Sequence, residues 1–525
     1  MPDLRTPVLV IGAGLTGCVL ALELAHHGVP SMVVERAARI PQQHELNLVS
    51  GRSMELLRRL GLAERIREHG VDPDSQAAVV WSRSIGRPPV LVTEVPSANE
   101  LRRRYAGTTD GSTPVEPYTL VTGTGLTTRL RGVVREHPLI DLREGWTFTD
   151  LRVEPHRTVA TVLDGGSRTR HLIEAGYLAG CDGAQSTVRR CLGVALETAA
   201  APAGHCTIYF RTGALGHPYP GQSTIITSGV ALTRQSGSDL WIGQFPLDPG
   251  DSTVTDPAAL LLQRLGIRLD ASQILGVTQW QEALGIAAAY RRGPAFLAGQ
   301  SAHPFHPPSH SVDTCLGDAV DLGWKLAATI GGWAGPALLG SYQTERRQRA
   351  VLVRELLARS LEARQRFRRL AAAGASTAYL AGVLRTEPPQ IDPSGTLPGS
   401  GPATSAVVWR DAGDPSPVAR PGSRLPALRT SDGRQLYDLL GPQFTLLDLT
   451  DGEDGHTLVD IACARGIPMV HLGLRDAPTL ARAGSGLLLV RPDHHVAWRG
   501  AGRPSEWDAV LDVVTGHRAQ DPAIT

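Results

Sequence analysis

The first forty residues constrain this chain most. Val8-Leu9-Val10-Ile11 is an apolar run suited to a strand buried on both faces. Gly12-Ala13-Gly14-Leu15-Thr16-Gly17 follows at once and matches G-x-G-x-x-G. A helical pattern runs from Leu15 to His27 and stops at Gly28. Ser31-Met32-Val33-Val34 is a second buried strand, ending on Glu35. Strand, glycine loop, helix, strand and terminal acid together form the setting in which this motif binds a dinucleotide. Gly12 permits the tight turn, Gly14 admits a pyrophosphate to the backbone, and Gly17 lets helix and strand close up. The first helical residues, Leu15 and Thr16, offer free amides and a positive dipole end to the phosphates. Glu35 is placed to accept ribose hydroxyls, with Arg36 beside it as a further cofactor contact.

Composition narrows the class. A length of 525 residues exceeds one core, and about 150 residues per domain suggests three units. Apolar residues make up 42% and charged residues 20%, which excludes a disordered chain. A net charge of +1 gives no field favouring nucleic acid or anionic membrane. No apolar run approaches the ~18 residues that span a bilayer. Only Met1 to Arg5 lead into the first strand, so a cytoplasmic protein is expected. The 6 cysteines form no C-x-x-C pair and no Cys/His cluster of zinc spacing, so neither disulfide nor metal site is expected.

Two further junctions stand out. A buried strand from Tyr177 ends in Gly180-Cys181-Asp182-Gly183, with a helix beginning near Ser186. An acid beside a glycine at a strand end can approach a dinucleotide closely. Phe296-Leu297-Ala298 runs into Gly299-Gln300-Ser301-Ala302-His303, then a proline- and histidine-rich loop, then a long helix from about Asp313 to Ile330. From Cys206 to Trp280 the pattern alternates as in antiparallel strands. Arginine-rich helical patterning from Pro336 to about Leu384 reads as a solvated face. The expected organisation is a discontinuous cofactor-binding domain (1–75, 105–190 and 285–335) and a sheet-rich substrate domain (76–104 and 191–284). A helical segment (336–386), a linker (387–402) and a small α/β domain (403–525) follow.

The three junctions, in this order, resemble the FAD-dependent aromatic hydroxylases typified by para-hydroxybenzoate hydroxylase. Within that group they are most similar to the bacterial enzymes that tailor aromatic polyketides. Arg52-Ser53-Met54-Glu55-Leu56-Leu57, Asp182-Gly183 and the segment from Gly299 to Lys325 carry the resemblance, which extends over nearly the whole chain. Gly441 to Leu446 and Val490-Arg491-Pro492-Asp493 are similar to that group's thioredoxin-like tail, which typically lacks a redox pair. The resemblance implies an α/β fold: a Rossmann-like FAD-binding domain, a sheet-rich substrate domain and a C-terminal thioredoxin-like domain. It also implies a chemistry in which NAD(P)H reduces the flavin, O₂ reacts with it, and one oxygen passes to a bulky polyketide-like small molecule.

The departures fall on the flavin-ring half. Gln300 stands where the group places an Asp on the ribityl chain. Pro308-Ser309-His310-Ser311-Val312-Asp313 replaces a glycine-rich loop, and Glu45 stands near where an arginine is usual. The adenine half, with Gly12, Gly14, Gly17, Glu35 and Asp182, is intact. Two functions therefore stay open. One is FAD-dependent hydroxylation or epoxidation. The other is a non-redox cyclase or isomerase on the same fold, for example one promoting an intramolecular [4+2] closure, with FAD structural or lost. For the second, His303, His306, His310 and Asp313 are the candidate acid–base residues. A cofactor-binding protein without activity is a third, weaker reading.

Overall fold

A computed structural model describes residues 2–40, 46–198, 204–215, 221–227, 229–235, 239–247, 254–281, 283–306, 311–387, 394–395, 405–409, 419–450, 454–474, 486–500 and 506–520. Strand Leu4–Ile11 lies at the centre of the first sheet. Ser31–Glu35 and Arg170–Gly180 pair with it in parallel on either side, and Ile140–Glu144 and Ala295–Leu297 extend the sheet in parallel beyond them. Helix Leu15–His26 packs between this sheet and helix Ser311–Ile330. Val8 to Ile11 are all buried, so both faces of the central strand are covered, as its unbroken apolar run requires. Hairpin Thr158–Asp164 and Arg170–Gly180 adds antiparallel pairing, and Trp146–Val153 joins its edge.

A second sheet has seven strands, from Ile274–Gln281 at one edge to Pro89–Val95 at the other. Ala77–Ser82 pairs in parallel with Gln222–Ile226, so chain from 76–104 shares one sheet with chain from 204–281. One face packs Ile208, Phe210, Trp241 and Phe245 against helix Pro257–Leu265. On the other face Trp81 meets Phe367 at 5.1 Å, and Trp280 stacks on His205 at 4.4 Å. The arginine-rich stretch forms helix Pro336–Ala372, and Gly374 at φ +77° separates it from helix Thr377–Arg385. Its reading as a solvated face needs correction at Arg346, whose side chain is 13% exposed and whose guanidinium is bonded to Asp318.

The C-terminal unit has a four-stranded sheet in the order Met469–Gly473, Phe444–Asp448, Leu487–Val490, Val496–Gly500. The first pair is parallel and the rest antiparallel, with helices Asp454–Ala464 and Trp507–Val514 beside them. Its core is completed by Trp324, Ala328 and Leu338 from the preceding helices. All 6 cysteines are free. No helix among the described residues is long and apolar enough to cross a membrane. Most of the expected linker lies outside the described residues.

Candidate cofactor site

Parallel pairing brings four strand ends to one edge. Ile11 registers with Val34 on one side and Gly180 on the other, and Gly180 registers with Leu297. Gly12, Glu35, Asp182 and Gly299 thus meet beyond the carboxyl ends of their strands. The chain reverses direction across the sheet there, the usual place for a ligand in such sheets.

The three motif glycines do different work. Gly12 has φ +103°, and a Cβ on it would lie 2.5 Å from the Cys181 carbonyl oxygen. A Cβ on Gly17 would lie 1.8 Å from the Gly12 carbonyl oxygen. A Cβ on Gly14 would meet nothing within 4 Å. Gly14 is also the N-cap of helix Leu15–His26, and among the described residues no side chain caps the helix's first amides. An uncapped helix start facing a space that only glycine leaves open fits a dinucleotide pyrophosphate. Leu15 is half-buried and Thr16 is buried against Gly299, whose φ is +65° and whose Cβ would strike Thr16 Oγ1 at 2.2 Å.

Glu35 is 9% exposed and already engaged. Its Oε2 accepts from the Ala13 amide at 2.8 Å, and its Oε1 from the Ala37 amide at 2.8 Å. Oε1 keeps a second lone pair for a ribose hydroxyl, while Oε2 also faces Arg131 Nη2 at 3.3 Å. Arg36 is exposed. Arg131 was not legible as a site residue. It is 3% exposed, donates from Nε to the Ala13 carbonyl at 2.8 Å, and lies 3.3 Å from both Glu35 and Glu144. It sits three residues before Val134 on the apolar stripe of helix Gly123–Glu136, and a cation on such a stripe is the one signal that could have found it.

Asp182 is spent largely on its own chain. Its carboxylate accepts from the Ser186 hydroxyl at 2.5 Å, the Thr187 amide at 2.6 Å and the Val188 amide at 3.0 Å. It fixes the start of helix Thr187–Cys191. Gly183, at φ +81°, leaves open space beside it.

The expected acid–base cluster divides. His303 is fully buried, and its Nε2 lies 2.7 Å from Asp318 Oδ2. Asp318 also accepts from the Gly299 amide at 2.9 Å and from Arg346 Nε at 2.7 Å. Burial pushes the Asp318 carboxyl up, but His303 and Arg346 outweigh it and hold it below the usual carboxylate range. His303 therefore faces a buried ion group rather than an open loop, which corrects the reading of it as a loop residue. Asp313 Oδ1 accepts from Ser50 Oγ at 2.7 Å, from the Ser50 amide at 3.3 Å and from Ser53 Oγ at 2.5 Å. That oxygen is committed as an acceptor at the start of helix Gly51–Arg59. The backbone of His306 pairs with Ala283. His310 and Glu45 lie outside the described residues. Gln300 Nε2 lies 3.5 Å from Ser311 Oγ. Among the described residues no group of His, Cys, Asp and Glu is placed to hold a metal ion.

The sequence model "FAD binding domain" matches residues 5–356, two thirds of the chain, and "Aromatic-ring hydroxylase, C-terminal" matches residues 418–517. The chain belongs to the FAD-dependent aromatic-ring hydroxylases. It is 27% identical over 555 residues to the FAD-dependent monooxygenase apdD of Emericella nidulans, covering 96% of this chain and 88% of the relative. It is 28% identical over 569 residues to the tetracenomycin A2 monooxygenase-dioxygenase of Streptomyces glaucescens, covering 96% and 94%. The rebeccamycin biosynthetic enzyme RebC with reduced flavin superimposes with a TM-score of 0.83 at 28% identity, over 98% of this chain and 100% of that one. As a hydroxylase of this family the chain is an enzyme with FAD as its cofactor, and the glycine loop, Glu35 and the Gly299 turn lie in the matched region.

Proposed function

We propose that this hydroxylase inserts one oxygen into a fused-ring, polyketide-like aromatic compound, using FAD, NAD(P)H and O₂. The observation that carries the FAD assignment is the space beside Gly14, at an uncapped helix start between Glu35 and the Gly299 turn. Gly12, Gly14, Leu15, Thr16 and Gly17 would take the pyrophosphate, Glu35 and Arg36 the adenosine ribose, and Asp182, Gly183, Gly299 and Gln300 the remaining backbone of the cofactor. FAD when bound supplies the redox chemistry, and the protein orients the substrate and excludes water. The substrate class follows the relatives, among them the tetracenomycin A2 enzyme and the aklavinone 12-hydroxylase RdmE of Streptomyces purpurascens, 28% identical over 540 residues.

Substrate would lie against the seven-stranded sheet. The register puts His205, Thr207 and Tyr209 on one face with Thr278 and Trp280, and Trp280 Nε1 donates to Thr207 Oγ1 at 2.9 Å. A stacked ring pair beside hydroxyls suits a flat substrate bearing phenol or quinone oxygens. The acid–base cyclase reading draws little support here. His303 is sealed in the core and Asp313 Oδ1 is occupied by three donors.

Absorbance of the purified chain and FAD titration test the proposal. A flavin band at full occupancy that NAD(P)H bleaches is expected. A chain that ignores FAD refutes the monooxygenase. Bound FAD that NAD(P)H cannot reduce turns the reading to non-redox chemistry.

A further inference from the structure

Helix Ser311–Ile330 carries two buried charge groups one turn apart. The first is Asp318, with Gly299, His303 and Arg346. The second joins this helix to the C-terminal unit. Lys325 Nζ lies 2.9 Å from Asp321 and 3.1 Å from Glu345. Arg491, 1% exposed at its side chain, reaches in from the turn between strands Leu487–Val490 and Val496–Gly500. Its Nη2 meets Asp321 Oδ1 at 3.0 Å and Glu345 Oε2 at 2.9 Å, its Nη1 meets Glu345 Oε1 at 3.0 Å, and its Nε meets Asp493 at 3.1 Å.

The two groups abut twice. Asp318 and Asp321 stand three residues apart, on one face of their helix. Glu345 and Arg346 are consecutive on helix Pro336–Ala372, so one faces the seam and the other the cofactor turn. The same hairpin also holds the neighbouring helix, because Arg52 Nη2 donates to the Asp493 carbonyl at 2.9 Å. That helix supplies Ser53, and its cap Ser50, to Asp313. Apolar docking would hold two units together without desolvating five charged side chains. A buried fork of this kind instead fixes one relative geometry.

We propose that Arg491 is a positioning residue for the cofactor turn, acting through Glu345–Arg346 and Asp321–Asp318. The C-terminal unit, which has no C-x-x-C pair, then serves FAD binding by setting the Gly299 turn. This inference rests on the FAD reading above.

The test is FAD affinity of the full chain by quenching of flavin fluorescence, with melting of each variant measured alongside. Arg491→Gln is expected to weaken FAD binding by roughly 5-fold or more. Arg491→Lys, which keeps the cation and loses the fork, should fall between, and carries the test if Arg491→Gln does not fold. Leu447→Ala loosens the C-terminal core without removing a charge from the seam and should leave affinity within about 2-fold of wild type. Asp318→Asn should weaken binding, and Arg491→Gln should add less on that background than on the wild type. Wild-type affinity in the Arg491 variants overturns the inference. So does an equal loss in Leu447→Ala, or full additivity with Asp318→Asn. A wild-type chain that takes no FAD refutes the proposed function itself and this inference with it, before any variant is compared.

Discussion

A methyl group added at Gly17 would sit 1.8 Å from the Gly12 carbonyl oxygen, whereas one added at Gly14 would touch no protein atom within 4 Å. The two positions therefore separate folding from binding. Gly14→Ala should melt within about 1 kcal/mol of wild type, because the weaker alanine cap is offset by the lower unfolded-state entropy of alanine at a φ of −77° that it adopts without strain. It should still lose roughly 10-fold or more in FAD affinity, or 1.4 kcal/mol, because the methyl fills the space a phosphate needs. Unchanged affinity in Gly14→Ala would place the pyrophosphate elsewhere. Gly17→Ala should lose stability and FAD together, as helix and strand are forced apart. Thermal melting followed by flavin titration distinguishes these outcomes. Glu23 is a second residue whose effect can be signed. It is fully buried, with Arg59 Nη2 at 2.5 Å and His27 Nε2 at 3.1 Å. Burial pushes its carboxyl up, but Arg59 and His27 prevail and lower it to about 2. Its contribution is thus present above the unfolded value near 4.5 and lost as pH falls toward 2. Glu23→Gln should cost about 3 kcal/mol at pH 7 and less at pH 3, read from denaturant melts at both.

Among the elements, those with a local cause were legible and those with a distant cause were not. The βαβ start is written in consecutive residues: an apolar run, glycines at the turns, an acid at the end. Strand Trp146–Val153 escaped because Phe148 alone among its residues is buried and a bulge interrupts its pairing, so no alternation shows. The same contrast holds at the site. Glycines that need a positive φ or a close approach announce themselves. Asp318 and Arg346 are 28 residues apart and become partners only when two helices pack. The turn after strand Leu487–Val490 holds His494, which is not an ordinary turn residue. That histidine has φ +65°, is 1% exposed, and neither ring nitrogen has a hydrogen-bond partner among the described residues. Burial, with Arg59 and Arg52 nearby, holds its imidazole well below its ordinary range. The folded state therefore binds fewer protons than the unfolded one, and stability is lost as pH falls below about 6.5. His494→Asn keeps a residue that tolerates left-handed backbone and removes the titrating ring. Its melting temperature should fall less than wild type's between pH 7 and pH 5. A parallel fall would assign the acid sensitivity to other groups.

At the scale of the molecule, the C-terminal unit shares its core and its charges with the rest. Trp324, on the long helix, is 1% exposed and lies edge-on to Phe444 at 6.1 Å, with the Arg491 guanidinium 5.2 Å from its ring. Removing residues 388–525 would bare Trp324, Ala328 and Leu338 and leave Asp321 and Glu345 without Arg491. Breaking one buried charge pair costs about 3–5 kcal/mol, and baring Trp324 forfeits about 3 kcal/mol of apolar burial. Total stabilities are of order 5–15 kcal/mol, so these two losses alone consume most of the margin. A chain ending at residue 387 should therefore be recovered aggregated or without a cooperative melting transition, and should take no FAD. Trp324→Ala in the full chain should fold but melt lower, and should lose FAD affinity only in proportion to its loss of stability, since it leaves the Arg491 fork in place. Size-exclusion chromatography and calorimetry of both proteins check this. A soluble shortened chain that melts cooperatively and binds FAD normally would make the C-terminal unit an independent appendage, and the shared core at Trp324 would then be a docking surface rather than part of one folding unit.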